Sequence, residues 1–457
     1  MVANNPQPTA EHAAEQPQRP ARSPQRLALW AAADKSLQML YGVVLILVPL
    51  KLFTPDQWGV WTVFQALFLG LSLLGDFFIL QPMVKLCAEE HKISRSIITA
   101  SSLLYLGFMV VLGYGITLLA VPIADVLKSG SAVEAFRTIG FLVLSTALRN
   151  ITIRVLQVDY RIIPIFLVDL AYFGGVIALM LLGGASGHLT DSMVLIDYNL
   201  YAFIASSITG LLFTWRWMIP TTTHLADSVR RVLALGVHQG GTGILTIIQQ
   251  QGDAVIVTSV RGHIAAGVYN AAKIFYRFFE SIRDAAQLLL VPATSRAYAQ
   301  ERVESVKEIA ELATAALVVL IFPLSLLLIV VANVVVPIIL PNKESSIPVF
   351  QWLMGSGFFA PFVIVPSVVL LGMGHTRDLF RGTFLGTVVM AVGGVVLTYF
   401  FYEAGMGIAL LLGTATTAVF LTQRMNRYIP FTFGSVIRRS RSFGPAVRRR
   451  LAALRKA

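Results

Sequence analysis

About a dozen apolar stretches, each close to the ~20 residues that cross a bilayer as a helix, run from Leu27 to Thr422. In hydrocarbon every backbone N–H and C=O must find an internal partner, which restricts what such a chain can become. The chain reads as an all-α, polytopic membrane protein. Its expected helices cover 27–52, 57–84, 96–122, 134–157, 162–184, 192–217, 229–258, 263–292, 308–337, 347–372, 380–401 and 404–424. Thr54-Pro55-Asp56, Gly183 to Gly187 and Pro341-Asn342-Lys343 punctuate the series. The connections are too short for a separate extramembrane domain.

Composition excludes the soluble alternative. Hydrophobic residues make up 56 % of the chain and charged ones 13 %, about half the ~25 % of a soluble domain. The formal charge of +12 would suggest nucleic acid in a soluble protein. Here the charge sits in alternate connections, and no nucleic-acid partner is expected. With the N-terminus inside, 26 Lys and Arg fall in inner segments or tails and five in outer loops (Lys51, Lys128, Arg137, Arg261, Lys343). Both termini are therefore expected in the cytoplasm. The tail beyond Glu403 has no acidic residue. It suits anionic lipid or a partner enzyme.

The expected division is a disordered 1–26, a six-helix lobe at 27–217, a linker at 218–228, a second six-helix lobe at 229–424 and a basic tail at 425–457. The first apolar run is too long for a cleaved signal peptide and is expected to remain as a helix. Cys87, the single cysteine, is expected in a cytoplasmic loop and excludes an intrachain disulfide. There is no phosphate-binding G-x-x-x-x-G-K-[ST] loop and no metal-ligand spacing. No cofactor is expected.

The eighth apolar segment is unusual because it carries charge. Lys273, Arg277, Glu280 and Asp284 are spaced by four, three and four residues and share a helical face, with Arg283 beside them. Ionisable groups at membrane depth face a bundle interior or a wet cavity. The same segment also echoes the second. Gly59-Val60-Trp61, Gln65, Asp76 and Pro82 recur as Gly267-Val268-Tyr269, Lys273, Asp284 and Pro292 at an offset of 208 or 210 residues. Two parallel six-helix repeats around a central cavity would produce this pattern.

Gly267 to Ala272, closed by Pro292-Ala293-Thr294-Ser295-Arg296, resembles the "G-x-Y-x-x-A … P-x-x-S-R" pattern of Wzx-type oligosaccharide flippases. These belong to the MATE-like multidrug/oligosaccharidyl-lipid/polysaccharide exporter superfamily. Gly59-Val60-Trp61 with Leu74-Gly75-Asp76 is an altered form of the first-half pattern. The resemblance implies two lobes around a V-shaped cavity in a bacterial inner-membrane transporter. Its cargo would be an undecaprenyl-pyrophosphate-linked sugar, and polysaccharide polymerases and glycosyltransferases would be its partners.

On that reading Lys273, Arg277 and Arg283 would meet the pyrophosphate. Tyr269, Tyr276 and Gln250 would meet the sugar, with Phe275 nearby. Glu280, Asp284, Asp76 and Asp34 would carry a proton or coupling ion. The bland alternatives are ion pairs within helix eight, a pair for Asp34 with Lys35, and a structural partner for Asp76. Arg149 and Asp169 are expected to bridge helices four and five. Gln249, Gln250 and Gln251 would line a sugar path or bond helices together, and His238 is a candidate proton sensor. A cation-coupled drug or metabolite antiporter and a lipid-linked sugar polymerase or ligase are the competing functions.

Overall fold

The computed structural model describes residues 24–89, 94–158, 161–339 and 344–430. The expected disordered N-terminus and most of the basic tail lie outside them. Among the described residues the chain is helical, with no strand. The elements are α1 (Pro24–Leu52), α2 (Pro55–Gly75), α3 (Gln81–Glu89), α4 (Ser94–Leu118), α5 (Ala120–Val126), α6 (Val133–Val158), α7 (Ile162–Asp169) and α8 (Gly175–Ala185). Then come α9 (Ser192–Thr214), α10 (Leu225–Arg261), α11 (His263–Ala299), α12 (Val303–Val330), α13 (Ala332–Ile339), α14 (Ile347–Ser356), α15 (Ala360–Gly372) and α16 (Thr376–Tyr428).

Local chemistry sets several boundaries. Thr54 caps α2 in a reciprocal box: its Oγ1 accepts from Gln57 N at 3.3 Å, and Gln57 Oε1 accepts from Thr54 N at 3.0 Å. Asp191 caps α9 by accepting from Met193 N and Val194 N at 2.8 and 3.0 Å. Gly262, at φ 86°, makes the reversal between α10 and α11. Single π-turns at Asp76–Leu80 and Leu170–Gly174 join α2 to α3 and α7 to α8. Cys87 therefore sits in a helix, buried, and not in the expected loop.

Eight helical segments among the described residues are long and apolar enough to cross a membrane. A ninth is counted if Glu344–Ser356 and Ala360–Gly372, bent by 44°, form one span. This count does not confirm the expected twelve, and two features bear on the difference. The 37-residue α10 and α11 are not among these segments. The 53-residue α16 is counted once although it doubles back at Phe401 and Tyr402. Gly386 meets Thr417, Gly394 meets Met406 and Gly405 meets Leu397. These pairs define an antiparallel hairpin, with its reversal at the expected 401–404 break.

In the first part of the chain α6 packs against α4 and α9. In the second, α11 packs on α14 and α15, and α16 on α10, α14 and α15. α2 lies between the parts and touches both α10 and α11. α10 also leans on α4 and on the first π-turn. Large apolar side chains such as Leu182, Val237 and Ile338 remain exposed on the periphery, as a protein with lipid as its solvent requires. The chain is a multi-pass membrane protein.

Candidate functional site

A cavity of about 470 Å³ lies where α1, α2, α6, the second π-turn, α9, α10 and α11 converge. Its axis is set by the repeat. Thr62 and Asn270, equivalent at the 208-residue offset, approach at 3.5 Å. Trp58 Nε1 donates to Gly267 O at 2.9 Å, and a Cβ on Gly267 would lie 3.3 Å from Gly59 Cα. Equivalent residues of a twofold repeat can touch only on its axis. For the repeat expected from the sequence, this contact would place the pseudo-axis between α2 and α11.

Beyond the contact the two helices line the cavity with equivalent positions of different chemistry. Gln65, Leu69 and Ser72 of α2 correspond to Lys273, Arg277 and Glu280 of α11. Both strips keep the spacing of one helical face, but only α11 is charged. Arg283 extends the charged strip.

Lys273 Nζ lies 2.6 Å from Asp253 Oδ2 and donates to the Gln250 carbonyl at 2.8 Å. Its ion partner is on α10 and not, as the helix spacing suggested, Glu280. Asp253 is fully buried and also accepts from the Tyr269 hydroxyl at 2.8 Å. Tyr269 thus stands behind the wall, out of the cavity. Tyr276 likewise does not line it, and its ring lies edge-on to Phe279 with centroids 5.8 Å apart. Phe275 packs edge-on against Phe350 with centroids 4.9 Å apart. Gln250 and Gln251 reach the cavity, while Gln249 donates to Thr387 at 3.0 Å and ties α10 to α16. The side chains of Asp284, His238 and Gln239 lie outside the described residues.

The opposite wall carries a second polar cluster. Arg149 pairs with Asp169, as the sequence suggested, and its guanidinium lies 4.8 Å from the Tyr172 ring centroid. Gln38 Nε2 donates to Asp34 Oδ2 at 2.9 Å and to Asp169 Oδ2 at 3.3 Å. The other Asp34 oxygen is buried without a hydrogen-bond partner. Asp34 is therefore joined to Asp169 through Gln38, while Lys35 turns to Gln38 Oε1 at 2.9 Å. Asp76 is outside the cavity and is gripped by Arg154 through two bonds of 2.8 and 2.5 Å.

Tyr41, Asn150, Tyr172, Phe173, Phe203 and Asn270 also line the cavity, and sequence reasoning missed them. Asn270 had a signal, being one turn before Lys273 and equivalent to Thr62. Tyr172 and Phe173 had none, since both sit in a uniformly apolar segment. A π-turn inserts one residue per turn and shifts the register, which lets these two neighbours share one wall. The Tyr172 ring stacks on Phe203 at 4.0 Å and meets Arg149 as well. The wall consequently offers a ligand few free ring faces.

Residues 50–348 match the family described as "Polysaccharide biosynthesis protein". No curated protein sequence matches the chain. Among solved structures, an inward-facing multidrug resistance MATE transporter of the MOP superfamily aligns with TM-score 0.68 and 16 % identity, over 86 % of this chain and 94 % of that one. The lipid II flippase MurJ in its inward closed conformation aligns with TM-score 0.68 and 11 % identity, over 91 % and 90 %. An outward-facing MATE transporter aligns with TM-score 0.57 and 17 % identity, over 88 % and 94 %. The chain belongs to the polysaccharide biosynthesis protein family, and it has the fold seen in MATE transporters and in the lipid II flippase MurJ.

Proposed function

We propose that this protein flips an undecaprenyl-pyrophosphate-linked oligosaccharide from the cytoplasmic to the outer leaflet of a bacterial inner membrane. The observation that carries this reading is the cavity's chemistry. Six amide side chains (Gln38, Gln65, Asn150, Gln250, Gln251, Asn270) and four bases (Arg149, Lys273, Arg277, Arg283) line it, with one acid, Glu280. Amides pair with the mixed donors and acceptors of a sugar. Guanidinium groups bind phosphate oxygens bidentately, and a lysine supplies a point charge. Low-dielectric walls strengthen both effects.

The headgroup would sit between the α2 strip and the α11 strip while the lipid tail stays in the bilayer. Parting of the two halves at one end and closing at the other would then move it across. The positive-inside pattern puts the Thr54 end of the bundle outside and both termini in the cytoplasm. Asp34, with its unpartnered buried oxygen, and Glu280, on the cavity wall, are the proposed proton or cation carriers.

A drug or metabolite antiporter is the competing reading, because the fold is shared with MATE transporters. An organic cation would favour an acidic wall, whereas this one is predominantly basic. Deleting the gene separates the two. Accumulation of a lipid-linked oligosaccharide on the inner face is the expected result. Unchanged lipid-linked pools with a new drug sensitivity would overturn the proposal in favour of the antiporter.

A further inference from the structure

We infer that Asp56, Ser131 and His263, with the backbone at Lys128, form a latch that holds the Thr54 end of the cavity shut. The inference rests on alternating access but not on the identity of the cargo. His263, the first residue of α11, places Nε2 at 2.6 Å from Asp56 Oδ1 on α2. Ser131 Oγ, just before α6, donates to the same Oδ1 at 3.3 Å and lies 3.2 Å from His263 Nε2. The other ring nitrogen, Nδ1, is 3.5 Å from the Lys128 carbonyl. The Lys128 ammonium donates to Val260 O at 2.9 Å and fastens the same turn to the end of α10.

Each of these bonds except Ser131–Asp56 joins the first half of the repeat to the second. They cluster on the pseudo-axis, one residue away from repeat equivalence, since Asp56 corresponds to Ile264. Directly below them the backbones touch. A Cβ on Gly59 would stand 2.5 Å from the His263 carbonyl oxygen, and one on Gly267 would stand 2.9 Å from the Trp58 ring. The glycines permit closure and the polar cluster holds it. Because the Asp56 side chain is 51 % exposed, water competes for the His263–Asp56 contact and its grip is weak. A mouth that opens once per cycle needs a weak closure of this kind.

The test uses a single reporter cysteine, Gln65→Cys, in a Cys87→Ser background. A membrane-impermeant maleimide is applied to right-side-out spheroplasts and to inside-out vesicles. Asp56→Asn should raise labelling up to about fivefold from the face that bears Thr54, the gain expected for loss of a partly exposed pair. The exchange Asp56→His with His263→Asp should return labelling to near the parent's value, which also shows that the doubly substituted chain folds. Gly59→Ala, which wedges the backbones apart, should raise labelling further. Parent-like labelling of both Asp56→Asn and Gly59→Ala from both faces would overturn the latch. The readout involves no cargo, so failure of the flippase reading would leave this result intact.

Discussion

At the scale of single residues, the Lys273–Asp253 pair changes how the cavity's bases can be tested. Asp253 is wholly buried and Lys273 nearly so. Removing one partner of a buried pair leaves an uncompensated charge and costs about 3–5 kcal/mol. Lys273→Ala should therefore lower the amount of protein in the membrane, and adding Asp253→Asn should restore it; quantitative immunoblotting of membranes reads both. Arg277→Ala should abolish export, read as polymer per unit of membrane protein on the same blots. Arg154→Ala should behave as a stability mutant, since it strands Asp76 within the bundle; a fall in melting temperature of the detergent-purified protein would show this. The sequence located the charged strip on α11 but not Asp253, the residue of α10 that pairs with Lys273. Spacing along one helix reports which residues share its face. It says nothing about which residue of the neighbouring helix faces them, and Asp253 reaches Lys273 only because the chain reverses at Gly262.

At the scale of elements, two departures from ideal helix geometry build the site. The π-turn at Leu170–Gly174 brings Tyr172 and Phe173 onto the cavity wall. Deleting one residue there would convert the turn to α-helix, keep the flanking segments in phase and end the sharing of one wall by Tyr172 and Phe173. Such a deletion should preserve membrane insertion and eliminate export, read as surface polymer per unit of membrane protein. The hairpin within α16 was legible, because the apolar run breaks near 401–404. The π-turns were not, since an inserted residue leaves no mark in an apolar sequence. Tyr269 and Tyr276 illustrate the converse. Their flanking positions suggested sugar contact, but neither lines the cavity, and the Tyr269 hydroxyl donates to Asp253.

At the scale of the whole molecule, the internal repeat organises both closure and cargo chemistry. The offset of 208 residues, read first from two short motifs, reappears as the Thr62–Asn270 contact and as facing strips on α2 and α11. On the proposed reading, symmetry provides a shared cavity and the asymmetric placement of charge on α11 would give it a preference for anions. The positive-inside pattern further predicts that cysteines introduced near either terminus react with an impermeant maleimide only in inside-out vesicles.

The central claim is that this cavity carries a sugar diphosphate headgroup across the bilayer. It is tested most directly with purified protein in proteoliposomes loaded with the lipid-linked oligosaccharide that accumulates on gene deletion, by timing the appearance of its headgroup at the opposite leaflet. The account predicts protein-dependent transfer that Arg277→Ala reduces at least about tenfold, as loss of a charge-assisted bidentate contact would. Transfer at the protein-free rate, or equal transfer by wild type and Arg277→Ala, would contradict it.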